Sequence, residues 1–145
     1  MDLVIGIGNR LRKDDGIGPA LVESLRPIDG AEFHVVHQLT PDLAPRLSEI
    51  DRVLFVDAAI NAAEITLEPV APAQGHGIGH AMTPTAFLDL AAIAFDAKPP
   101  AWLLAVPGYD FGIGEGLSLE ARLRLPEATR TIGMWLGTGS ETARV

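Results

Sequence analysis

The sequence predicts an α/β protein: a three-layer α/β/α sandwich around a mostly parallel, twisted sheet, in a single domain spanning residues 1–145. Three observations carry this. Short, near-continuous apolar runs recur along the chain, as expected of strands buried on both faces. Segments with helical periodicity alternate with them. Polar, glycine-rich stretches then follow the apolar runs, where a parallel sheet places its functional loops.

Taken in order, residues 3–7 (LVIGI) form the first expected strand. A helix is expected to begin near Asp15 to Gly18, because Pro19 must sit in its first turn; Ile17, Ala20, Leu21, Ser24 and Leu25 share its inner face. Residues 33–36 are a shorter strand of the same buried kind. A second helix is expected over residues 41–50, with Thr40 as N-cap and Leu43, Leu47 and Ile50 inward. Residues 53–56 form the central strand, and 65–70, with alternating character and Pro69, an edge strand. Thr83 caps a third helix that starts at Pro84 and faces Phe87, Leu90, Ala91, Ala94 and Phe95 inward. Residues 102–106 form the last strand. Ser118 starts a short helix, and Pro126 restarts a final one carrying Ile132, Trp135 and Leu136.

Composition narrows the chemistry. Apolar residues make up 48% of the 145, enough for a continuous core without covalent staples. The absence of cysteine excludes disulfides, thiolate metal sites and a thiol nucleophile, so any metal must be held by His, Asp or Glu. A net charge of -8 opposes nucleic acid or an anionic membrane as partner. No basic segment precedes the first apolar run and no run approaches the ~20 residues needed to span a bilayer, so a cytoplasmic protein is expected. A monomer is favoured.

Ligands of parallel sheets gather at the carboxyl ends of strands. Three polar features fall there: GIGNRLRKDDGIGP after the first strand, Asp57 at the end of the central one, and His80 before the Thr83-capped helix. The Gly6-Ile7-Gly8 pair is too weak for a dinucleotide fingerprint. Leu11 replaces the third glycine, and His37 stands where an acid would hold a ribose. Asp14 and Asp15 are positioned to cap a helix. One can cap while the other points over the strand ends, and spacing does not say which. Asp57 could equally initiate a turn. His34 lies within a strand run and reads as structural, whereas His76 and His80 share the loop segment GHGIGH. Two carboxylates and an imidazole suit zinc, nickel or a similar divalent ion and leave a position for water or a substrate carbonyl. The long loops at 72–79 and 107–116 are where substrate contact is expected.

The segment GIGNRLRKDDGIGP resembles the N-terminal signature of the hydrogenase maturation endopeptidases through Gly6, Gly8, Asn9, Leu11, Asp14, Asp15 and Gly18. FVDAA and GHAMTPTAFL resemble that family's second and third motifs, and FGIGEGLS a segment found in some branches. The resemblance implies a phosphorylase-like α/β/α fold and a metal-dependent endopeptidase. Its substrate would be the precursor of a nickel-iron hydrogenase large subunit, whose C-terminal extension is removed after nickel insertion. It also implies that Asp15, Asp57 and His80 are the metal-binding and catalytic residues. The nickel they recognise would belong to the substrate, leaving the isolated protein's site empty. One departure stands out: His37-Gln38-Leu39-Thr40 replaces an acidic Asp-Gly-Gly-Thr-like segment. That removes a supporting carboxylate and leaves His37 or Gln38 to substitute. A non-catalytic, nickel-recognising chaperone for the same precursor is the alternative, and a small-molecule binder of nucleotide type the third.

Overall fold

A computed structural model describes residues 1–72 and 82–144, with side chains in the last helix described to residue 137. Five strands make one sheet: β1 (Asp2–Ile7), β2 (Ala31–Val36), β3 (Arg52–Ala59), β4 (Thr66–Val70) and β5 (Ala101–Pro107). Their order is β2-β1-β3-β5-β4, with β4 alone antiparallel. The expected mostly parallel sheet and the edge position of the 65–70 segment are both observed.

Helices cover both faces. On one face, α1 (Ile17–Glu23) and α3 (Leu119–Arg144) pack on Val4, Leu54, Val56, Leu104 and Val106. On the other, α2 (Pro84–Phe95) and a 3₁₀ helix (Pro41–Glu49) pack on Leu3, Ile5, Ile7, Val53 and Phe55. The opposite facing of Val4 and Leu3, or of Leu54 and Phe55, is the two-residue period of a strand. Phe55 and Phe87 meet edge to face at 6.1 Å between ring centroids, tying β3 to α2.

Several local expectations are corrected. Residues 41–49 wind as 3₁₀ rather than α, with Pro45 inside, where its missing N–H interrupts any α-helical ladder. Thr40 makes no cap there; its hydroxyl bonds Asp42 instead. Residues 119–144 are one helix, not two, continuing past an exposed Pro126. The buried stripe Ala121, Ala128, Ile132 and Trp135 holds both halves on the sheet, which offsets the hydrogen bond lost at the proline. Ser118 does cap this helix, its Oγ accepting from the Ala121 N–H at 3.1 Å. In α2, Phe87 and Ala91 are buried as expected, but Ala94 and Phe95 are exposed together with Ile93, so the last turn of the helix packs on neither core cluster. Strand β2 lies at the sheet edge and is only half-buried along its length.

The strand order places the reversal of chain direction across the sheet between β1 and β3, since the chain leaves β1 for β2 and returns on its other side. A crevice opens at the carboxyl ends of such a pair. The β1–β3 register ends at Gly6 and Val56, so Asp57 is the first β3 residue with no β1 partner.

Candidate active site at the β1–β3 crevice

Backbone sterics explain the glycines of the first motif. A Cβ on Gly8 would stand 1.8 Å from the Asp15 carbonyl oxygen, and one on Gly18 would stand 2.4 Å from that of Val56. Only glycine allows β1, the turn after it and the start of α1 to close so tightly. That closure brings a 3₁₀ helix (Lys13–Gly16) directly over the crevice, ahead of α1.

The two adjacent aspartates then divide their roles. Asp14 is fully buried, and its carboxylate accepts from the N–H groups of Tyr109 (2.8 Å), Asp110 (2.9 Å) and Ser118 (2.7 Å) and from the Ser118 hydroxyl (2.7 Å). Burial pushes its pKa up, but the bonds from Ser118, Tyr109 and Asp110 together outweigh this and hold it below the usual carboxylate value. Asp14 is a staple between the first motif and the 107–118 loop. Asp15 points the other way. Its Oδ2 accepts the Asn9 N–H at 2.7 Å, which fixes it over the strand ends.

Asp57 lies within β3, which runs on to Ala59 against β5, rather than at the strand's last residue as the sequence suggested. Removal from water raises its pKa to about 6; the Ala58 N–H, bonded at 2.8 Å, opposes this, and the negative charge of Asp15 adds to it. The crevice therefore holds two carboxylates close enough to feel one another. Among the described residues neither forms an ion pair with a basic side chain. An electron-rich, uncompensated pair of this kind fits a cation.

The fold thus brings together Asp15 and Asp57 from the expected trio. His80 and His76, with most of the 72–79 loop, lie outside the described residues. Among the described residues no group of three His, Asp or Glu stands close enough to hold an ion. His34 pairs with Glu32 at 2.7 Å, as its strand position suggested, while His37 and Gln38 are exposed just beyond β2.

Sequence reasoning missed the second ring of contacts. Lys13 pairs with Asp110 at 3.1 Å, and Arg12 and Gly114 form an isolated parallel bridge. Arg124 reaches from α3 to the Tyr109 hydroxyl (3.0 Å) and the Ala63 carbonyl (2.7 Å). The one available signal was the glycine-rich FGIGEGLS segment, whose partner could not be read from spacing. No helix among the described residues is long and apolar enough to cross a membrane.

No protein-family model matches the chain, and no curated protein does. Solved structures do. The hydrogenase maturating endopeptidase HybD from E. coli superposes with a TM-score of 0.75 at 17% identity, covering 95% of this chain and 93% of its own. A hydrogenase 2 maturation peptidase from a Thaumarchaeota archaeon gives 0.69 at 20% identity, covering 94% and 97%. The endopeptidase HycI from E. coli gives 0.69 at 19%, covering 93% and 90%. The fold is the one these proteins share.

Proposed function

We propose that this chain is a hydrogenase maturation endopeptidase that removes the C-terminal extension of a nickel-iron hydrogenase large-subunit precursor after nickel insertion. The observation that carries the reading is the Asp15–Asp57 pair in the β1–β3 crevice of this fold. Whole-length likeness to a protein named as a hydrogenase maturating endopeptidase and another named as a hydrogenase 2 maturation peptidase, and the matching order of the three sequence motifs, support it.

In this reading the nickel arrives as part of the substrate. Asp15 and Asp57 supply carboxylate oxygens and His80 an imidazole nitrogen, a donor set that suits the ion. A cation entering the pair would offset the carboxylate charge that burial and the neighbouring Asp15 make costly on Asp57, which favours a substrate that carries the nickel. Asn9 keeps Asp15 from rotating away through its N–H. Asp14 contacts neither carboxylate by a hydrogen bond, but anchors the loop on which a chain threading the crevice would rest. The cut itself is peptide hydrolysis: water adds to the scissile carbonyl and the amine of the extension leaves with a proton.

Incubation with nickel-loaded precursor tests this. Alanine at Asp15, Asp57 or His80 abolishes processing while the melting transition stays cooperative. His76→Ala, in the same loop as His80, still processes. Normal processing by His80→Ala would remove the proposed ligand set.

A further inference from the structure

We infer that Arg124, held against Tyr109, is a binding site for a carboxylate carried by the C-terminal extension of the peptide being cut. This rests on the function proposed above and adds how the departing tail is held.

Arg124 lies in the second turn of α3 and is half-buried. Its Nε–H donates to the Tyr109 hydroxyl at 3.0 Å, and Nη2 donates to the Ala63 carbonyl at 2.7 Å. Both acceptors are neutral. A guanidinium carries five N–H groups, so about three of them have no acceptor among the described residues. Nor does a carboxylate offset the charge. Glu120 and Glu127 lie one turn away on the same helix and Glu64 follows Ala63; all are exposed, and none pairs with Arg124. Lys13, Arg46 and Arg52, the other half-buried Lys and Arg side chains among the described residues, each hold a carboxylate. Arg124 is fixed in place like them and left uncompensated.

Hydrogen bonds tie this cation to the crevice. The Gly108 N–H bonds the carbonyl of Ala59, two residues beyond Asp57 on β3. The next N–H, that of Tyr109, bonds Asp14, the neighbour of Asp15. Ala63 lies in the segment that leaves β3, and Arg124 reaches both loops from α3. Tyr109 stands four residues past Ala105, the register partner of Asp57, so no more than about 13 Å of backbone separates them.

The chemistry of the occupant follows from the donors left over. A planar guanidinium held at one edge and unused at another matches the two oxygens of a carboxylate. The Tyr109 hydroxyl accepts from Nε, which leaves its own proton to donate beside the site. A C-terminal extension always ends in a carboxylate, and an acidic side chain within it offers the same group.

The test is fluorescence anisotropy of a labelled peptide that covers the cleavage site and the extension, titrated with the full chain. The peptide is made native, C-terminally amidated, with every Asp and Glu replaced by Asn and Gln, and with both changes. Wild type is compared with Arg124→Gln and with Arg130→Gln, the latter an exposed arginine of the same helix that pairs with no carboxylate. Arg124→Gln should bind the native peptide at least about tenfold more weakly than wild type, with Arg130→Gln unchanged. The fully neutral peptide should bind wild type and Arg124→Gln alike. Weakening on amidation alone assigns the terminal carboxylate, and weakening on the Asp and Glu changes alone assigns a side chain; either upholds the site. Equal weakening of native and neutral peptides by Arg124→Gln would mean a merely structural role and overturns the inference. So does a neutral peptide that binds wild type as tightly as the native one, or a native peptide that does not bind. A nickel-loaded precursor that wild type leaves uncut removes the endopeptidase reading, while an Arg124-dependent preference for the acidic peptide still stands.

Discussion

Ser118 reaches Asp14 twice across 104 residues of chain, through its N–H and its hydroxyl, both at 2.7 Å. The same hydroxyl caps α3. One serine thus sets where the last helix starts, and one buried carboxylate sets how far the 107–118 loop stands from the crevice. Four donors converge on Asp14, so Asp14→Asn turns an amide N–H against at least one of them. A stability loss of about 2–3 kcal/mol is expected, the range for a buried polar mismatch. Chemical denaturation at neutral pH measures it. A variant as stable as wild type would show that the staple carries no weight.

Asp57 should make the protein less stable, not more. Its folded pKa of about 6 lies above the value of 3.8 for the group in water. Below pH ~4 both folded and unfolded states hold the proton and nothing is lost. Between pH ~4 and ~6 the unfolded state releases it first, and above ~6 the full penalty, roughly 3 kcal/mol, is present. Asp57→Asn should therefore raise Tm at pH 7.5 and leave it unchanged at pH 4. Melting curves at the two pH values check the sign. A gain that is equal at both would trace to packing instead.

Glu32 behaves in the opposite sense. Hydrogen bonding to Arg46 at 2.6 Å, with a smaller contribution from His34, holds its pKa at about 2 despite partial burial. The stabilisation is complete above the ordinary glutamate value and is lost as pH falls toward 2. Partial exposure of the pair screens it, so Glu32→Gln should cost only about 1–2 kcal/mol at pH 7 and close to nothing at pH 2. Urea titrations at the two pH values measure the difference.

The glycine motif predicts a steric result. Gly18→Ala places a methyl 2.4 Å from the Val56 carbonyl, between two backbones that cannot both retreat. A loss of about 3 kcal/mol or failure to fold is expected, whereas Gly133→Ala, open on α3, should be neutral or slightly stabilising. Thermal melts of the two variants decide it.

How far the sequence carried depended on the range of the interaction. Strand runs and the Thr83–Pro84 cap are local signals, and they led to the sheet, its edge strand and α2. The 41–49 segment misled because Leu43, Leu47 and Ile50 keep an inward spacing that a 3₁₀ helix also satisfies, and only Pro45 argued against α. Pro126 misled in the other direction, since burial of Ala128 and Ile132 outweighs one missing hydrogen bond. At the site, Asp14 and Asp15 are identical in composition and adjacent in sequence. Which faces Ser118 and which faces Asp57 is decided by the tight turn over Gly8, a contact between segments that no spacing records.

In the proposed function, the Asp15–Asp57 crevice reads nickel in the substrate and cleavage follows. Intact-mass spectrometry of the precursor, offered side by side with and without nickel, tests this most directly. Loss of the C-terminal extension is expected from the loaded precursor alone, and from neither form with Asp57→Ala. A loaded precursor of unchanged mass, or equal cleavage of both forms, would contradict it.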